Sequence, residues 1–186
     1  MNQFENFHQV YGSGLNCKKA DKEIILRYEE KLPPSLIEQW KEEGWCGYAE
    51  GLLWITNPLD LEDIIEDWIE VSSDTPVVFA RTAFADLFFW GQDGVHFLDV
   101  HYSRVTRISN DITSFFNSFL CEEKNLRKVL RQDIYQKALQ RLGIPDPDEC
   151  YAFVPALALG GSGTSDTLER VKLREHIGFL AELETE

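Results

Sequence analysis

Basic residues are scarce in this chain: 18 Lys and Arg stand against 32 Asp and Glu over 186 residues, a net charge of −14. Such a chain is repelled by nucleic acid and by anionic membranes, so direct binding to either is excluded as an expectation, and a basic partner is favoured. Cysteine is also sparse. Cys17, Cys46, Cys121 and Cys150 lie far apart, with no C-x-x-C pair and no zinc-like spacing, which excludes a sequence-evident metal centre and leaves buried free thiols in a reducing compartment as the expectation. The opening M-N-Q-F-E-N-F has neither a basic n-region nor an apolar h-region, so no signal peptide is expected and the cytoplasm is the expected location. The charge-free run over residues 152–165 contains Pro155 and three glycines and is too short to span a bilayer.

The usual signs of catalysis are missing as well. The run G-G-S-G-T-S at 160–165 lacks the lysine of a phosphate loop and the spacing of a nucleophile elbow. His96 and His101 are five residues apart, which on one strand would point them to opposite faces. Asp99 and His101 would share a face, and a carboxylate beside a histidine is a general-base arrangement; an ordinary hydrogen bond or salt bridge is the commoner outcome. No catalytic, cofactor-binding or metal-binding residues are assigned, and the chain is expected not to be an enzyme.

What the sequence does contain is hydrophobic mass, at 44% with 12% aromatics, enough for a folded domain without metal or disulfide. Asp21 can cap a helix through K-E-I-I-L-R-Y-E-E-K-L, ended by Pro33. Pro34 then opens P-S-L-I-E-Q-W-K-E-E-G, with Leu36, Ile37 and Trp40 on one face and Gly44 as the stop. G-L-L-W-I-T reads as a short buried strand. From Pro76 the period changes to two: P-V-V-F-A-R-T-A-F, D-L-F-F-W-G, V-H-F-L-D-V and R-V-T-R-I-S follow closely enough to pair as an antiparallel meander. Asp111 is placed to cap a helix, further helices are expected at 122–131 and 133–142, and C-Y-A-F-V-P-A-L-A-L-G-G reads as a strand, with Pro155 on an edge or at a bulge. The closing L-E-R-V-K-L-R-E-H-I-G-F-L-A-E-L reads as helix.

The negative charge is concentrated. Residues 1–70 hold 15 acids against six bases, and L-D-L-E-D-I-I-E-D-W-I-E at 59–70 holds six carboxylates, Asp60, Glu62, Asp63, Glu66, Asp67 and Glu70, with no Lys or Arg. Leu61, Ile64, Ile65 and Trp68 recur at helical spacing, so an amphipathic helix would bury these four and display the acids as a ridge. Like charges four apart cost such a helix a few tenths of a kcal/mol each. A basic stripe at Lys124, Arg127, Lys128 and Arg131 reads as a solvated face or as a docking site for the protein's own acids.

Several strings carry a family likeness: Tyr11-Gly12, L-P-P-S-L-I-E-Q-W-K-E-E-G, Y-A-E-G-L-L-W-I-T-N-P, F-A-R-T-A-F-A-D-L-F-F-W and Y-A-F-V-P-A-L-A-L-G-G. In this order, over residues 4–183, the chain resembles the bacterial family that joins a GAD-like N-terminal domain to the C-terminal domain of type VI secretion immunity proteins. The resemblance implies a cytoplasmic immunity protein that binds and neutralises a cognate antibacterial toxin, typically a DNase, and it implies no catalysis and no cofactor; the acidity of the chain favours a basic surface on that toxin. It gives no contact residues to carry over. A non-catalytic adaptor, and a small hydrolase built on Asp99 and His101, are the alternatives.

The expected architecture is α+β: a mainly helical GAD-like part at 1–72 packed on a C-terminal antiparallel sheet flanked by helices at 73–186, the two forming separate domains or one compact unit. The six carboxylates are the candidate toxin-binding residues.

Overall fold

Two runs of alternating apolar residues, Phe79, Phe88 and Phe97 on a first face and Val78, Leu87, Phe89 and Leu98 on a second, make the central sheet hydrophobic on both sides, and a separate cluster of buried side chains covers each. The computed structural model describes residues 3–69 and 76–184. Its main element is a seven-stranded antiparallel sheet in simple sequence order: β1 (Leu15–Lys18), β2 (Trp45–Tyr48), β3 (Leu53–Ile55), β4 (Val77–Thr82), β5 (Leu87–Gly91), β6 (Gly94–Asp99) and β7 (Arg104–Ser109). The meander expected from Pro76 onward is present as β4 to β7.

The N-terminal part differs from its expected, mainly helical form. α1 (Glu5–Tyr11), α2 (Lys22–Tyr28) and α3 (Pro34–Glu42) are there, but three strands of the sheet are interleaved with them. β3 pairs directly with β4 through Leu53 with Thr82, Trp54 with Arg81 and Ile55 with Ala80. One sheet thus draws strands from both sides of residue 72, a position that itself lies outside the described residues.

α3 follows its sequence signals closely. Pro34 stands at its first turn, Leu36, Ile37 and Trp40 are buried, and Gly44 stops it at φ +76°. A Cβ on Gly44 would meet the Lys18 carbonyl oxygen at 2.2 Å, so the tight return to β2 requires glycine there.

The first face of the sheet carries an aromatic core in which Phe4, Phe7, Trp40, Tyr48, Phe115 and Phe116 are fully or almost fully buried. α4 (Ile112–Asn117) supplies Phe115 and Phe116, and the Asp111 carboxylate accepts a hydrogen bond from the Ser114 amide at 2.6 Å, the cap expected from sequence. α5 (Glu123–Lys128) and α6 (Gln132–Leu142) follow. A second, two-stranded sheet pairs β8 (Glu149–Phe153) with β9 (Leu168–Lys172), and α7 (Leu173–Glu184) lays Ile177 and Leu180 onto the second face of the main sheet. The front of the segment expected as helix is therefore β9: Leu168 is fully buried on the β8 pairing, and the helix starts only at Leu173.

The thiols also differ from expectation. Cys17 and Cys46 form a disulfide, with Cα atoms 4.2 Å apart, that ties edge strand β1 to β2; Cys121 and Cys150 are free.

Candidate functional site

The acidic segment does not form the expected regular helix. Its hydrogen bonds are mostly of the tighter i to i+3 kind, from Leu61 to Pro58, Asp67 to Ile64 and Trp68 to Ile65, with i to i+4 bonds only at Ile65 and Ile69. Two short 3₁₀ turns, Pro58–Asp60 and Ile65–Asp67, bracket the segment, and the Asn57 side chain caps the first. The apolar half of the expectation holds: Leu61, Ile64 and Ile65 are buried against the second sheet face, with Trp68 packed beside them. Burial of these side chains, together with two tertiary ion pairs, outweighs the weak and charge-frustrated helical preference.

Those ion pairs are the main change from the sequence reading, in which the carboxylates had no partner. Glu62 accepts a two-pronged hydrogen bond from Arg27 of α2, at 2.8 and 2.9 Å. Asp63 pairs with Arg174 of α7 through two nitrogens, one for each carboxylate oxygen, at 2.7 and 3.1 Å, and Arg174 also donates to the Asp60 carbonyl. The Arg174 guanidinium holds the Asp63 carboxyl below the usual carboxylate range. Each exposed pair is worth at most about 1 kcal/mol, but together they fasten the segment between a helix from each end of the chain. Asp60 is exposed, its carboxylate 3.3 Å from the Asn57 amide nitrogen. Glu66 and Asp67 are exposed with no ion pair among the described residues. Glu70 lies outside the described residues. The ridge is thus a shorter acidic knuckle whose outermost charges are Asp60, Glu66 and Asp67.

A second charged cluster is buried. Arg131, in a left-handed conformation immediately before α6, reaches into the sheet and pairs with Asp86 and with Asp99, the latter at 3.2 Å. Asp86 is fully buried and also accepts from Thr82 Oγ1 at 3.1 Å and the Val100 amide at 3.2 Å. Burial pushes its carboxyl up, against the pull of Arg131, and burial of Arg131 is in turn more than offset by the two carboxylates. Of the basic stripe, Arg131 serves the protein's own acids in the interior, while Arg127 pairs with Glu123 on the surface at 2.9 Å.

The Asp99 and His101 pair has no general-base geometry. Asp99 gives its carboxylate to Arg131 and meets His101 only at the backbone amide, 3.1 Å away, while the His101 ring nitrogen Nε2 lies 2.9 Å from the Phe84 carbonyl and donates to it. Burial drives the His101 and His176 imidazoles down to about 4 each, with Arg131 adding to the effect at His101 and His101 adding to it at His176. Both rings are neutral at pH 7, their centroids 6.2 Å apart. The hydrolase alternative loses the pair on which it rested. Among the described residues, no group of three or more His, Cys, Asp and Glu is placed to hold a metal ion, and no helix is long and apolar enough to cross a membrane.

Arg27, Arg174 and Asp86 were not singled out from sequence. The first two sit 35 and 111 residues from their acidic partners, so no local spacing announces them.

The fold is shared. The crystal structure of Atu4351 from Agrobacterium tumefaciens superposes with a TM-score of 0.77 over 96% of this chain and 88% of that one, at 16% identity. No curated protein matches the chain. At the level of families, residues 2–103 match the GAD-like domain and residues 109–184 match the C-terminal domain of the T6SS immunity protein Tdi1. The Arg131 clamp therefore joins Asp86 and Asp99 of the first match to the start of α6 in the second. The chain belongs to the GAD-like domain family and carries, behind that domain, the C-terminal domain of a type VI secretion immunity protein.

Proposed function

We propose that this protein neutralises a cognate type VI secretion toxin by binding it in a stoichiometric complex, that the toxin is a nuclease with a basic surface, and that the encounter takes place in the cytoplasm. The observation that carries the reading is the immunity-domain match over residues 109–184. The net charge of −14 supports the choice of a basic partner, because a cleft built to bind phosphates attracts a row of carboxylates and speeds association. Domain limits near residue 72 remain part of the proposal, with the shared sheet favouring a single unit.

The toxin-facing surface is placed at the acidic knuckle, with Asp60, Glu66, Asp67 and Glu70 as the contacting charges. Glu62 and Asp63 act there as positioning residues, since their oxygens are taken by Arg27 and Arg174. The variant E66K/D67K is expected to weaken toxin binding at least about tenfold at low salt and to flatten the dependence of the association rate on ionic strength. Unchanged affinity and an unchanged salt dependence would remove the knuckle from the interface. Surface plasmon resonance over a range of salt concentrations reads both quantities.

A further inference from the structure

The two halves of the disulfide have unlike surroundings. Cys46 is fully buried in the aromatic core, whereas Cys17 is exposed on edge strand β1. Cys17 lines an open cleft of about 480 Å³ together with His8, Gly12, Ser13, Gly14 and Glu43. That volume is in the range of small-molecule sites. Gly14 packs against the bond itself: a Cβ there would meet Cys46 Cβ at 2.5 Å and both sulfurs at 2.9 Å, so only glycine lets the turn between α1 and β1 pass this close.

The charges around Cys17 are of one free sign. Glu43, the acid in the cleft wall, has its carboxylate engaged by His8 Nε2 at 3.3 Å and by the Tyr48 hydroxyl, which donates at 2.5 Å. Lys18 and Lys19, the next two residues after Cys17, are exposed with no ion pair among the described residues. An exposed half-cystine is thus followed by two unpaired cations in a chain whose net charge is −14.

The core side accommodates both oxidation states. Cys46 Sγ lies 3.3 Å from the Glu43 carbonyl oxygen, an acceptor that a reduced Cys46 thiol can use. Opening the bond therefore leaves no orphaned donor inside, and it removes the covalent tie of a four-residue edge strand that is itself mostly exposed.

We propose that Cys17 is a thiol-exchange site for anionic low-molecular-weight thiols of the glutathione kind. The thiol sulfur attacks Cys17 Sγ from the cleft, the bond to Cys46 breaks, and its electron pair leaves with Cys46. Cys46 takes up a proton in place of the one the incoming thiol released, so the products are a mixed disulfide on Cys17 and a Cys46 thiol. A second thiol attacks the incoming sulfur, releases the small-molecule disulfide and leaves both cysteines reduced. Lys18 and Lys19 attract the carboxylates of the incoming molecule. The site does not depend on the immunity reading.

Full-length protein purified without reductant should show two free thiols when denatured, those of Cys121 and Cys150, and four after reduction. Cys46→Ser then decides the site, because its hydroxyl keeps a donor for the Glu43 carbonyl and Cys17 is left without a partner to expel an adduct. Treated with oxidised glutathione, this variant should gain one glutathione, mapped by peptide mass spectrometry to Cys17, about tenfold or more faster than at half-buried Cys121 in the same chain. Adding Lys18→Glu and Lys19→Glu should slow the reaction at Cys17 about threefold or more at low salt and leave Cys121 unchanged. If Cys46→Ser does not fold, the parent treated with reduced glutathione and quenched in acid gives the same map. Four free thiols in the protein as purified would overturn the proposal, as would modification of Cys121 as fast as Cys17 or a rate at Cys17 indifferent to the charge reversal.

Discussion

Replacing Arg131 by Met is expected to destabilise the protein by about 3–5 kcal/mol, the range for breaking a buried ion pair from one side. The substitution leaves Asp86, which is fully buried, and Asp99, which is 6% exposed, without their shared cation. Asp86 retains the Thr82 hydroxyl and the Val100 amide, but neutral donors do not compensate a buried charge. The folded variant relieves the strain by keeping a proton on Asp86, which burial already favours. The folded state of the variant then binds more protons than the unfolded chain between the ordinary carboxylate range and its own raised value, so its deficit grows with pH across that window. Urea unfolding of Arg131→Met at pH 5.5 and pH 8, with Arg131→Met/Asp86→Asn as the partner variant, checks both points. The double variant should recover part of the loss and show little of the pH dependence. A deficit under about 1 kcal/mol would mean that the cluster does not clamp the sheet to α6.

Acid is expected to withdraw, above the ordinary carboxylate range, the stability that two buried neutral imidazoles allow the parent protein. His101 and His176 are held down to about 4 in the fold and return to the ordinary imidazole value near 6.5 when unfolded. Between these values the unfolded chain binds more protons, so the stability that the neutral rings allow is complete above about 6.5 and is lost as pH falls toward 4. At one pKa unit per 1.36 kcal/mol, the two rings together account for about 3–4 kcal/mol between pH 7 and pH 5. Asp86, whose raised carboxyl titrates in the opposite sense over this window, offsets part of the loss, so the fall in Tm is smaller than the roughly 8–12 °C that the two rings alone would give a chain of this length. His101→Gln keeps an amide donor for the Phe84 carbonyl, and His176→Phe replaces a ring whose Nε2 has no partner. The combined variant should lose most of the fall in Tm between pH 7 and pH 5 while keeping a comparable Tm at pH 7. A fall as steep as the parent's would assign the acid sensitivity to other groups.

The elements legible in the sequence are those with local causes. Pro34 and Gly44 bound α3, Asp111 caps α4, and period-two alternation marks β4 to β6, because each signal acts within a few residues. β1 and β2 were not legible: each has four residues, β2 is buried throughout and so shows no alternation, and β1 is an exposed edge. β9 is not legible as a strand because Leu168 and Val171 are three apart, a spacing that fits helix as well as it fits the ends of a short strand; pairing with β8 decides between them.

The acidic segment shows the same division. Its buried residues were correctly picked, while its winding and the loss of two free carboxylates depend on Arg27 and Arg174, whose approach only the tertiary fold determines. The Cys17–Cys46 bond likewise spans 29 residues and follows from the β1–β2 pairing, which sequence did not reveal.

The central claim is that this protein silences a toxin by binding it. The direct measurement is co-expression with the product of the adjacent gene in a sensitive bacterial host, scoring survival and then co-purification at low and high salt. The account predicts rescue of growth together with a one-to-one complex that weakens as salt is raised. Growth arrest that this chain fails to relieve, or relief without any complex, would contradict it.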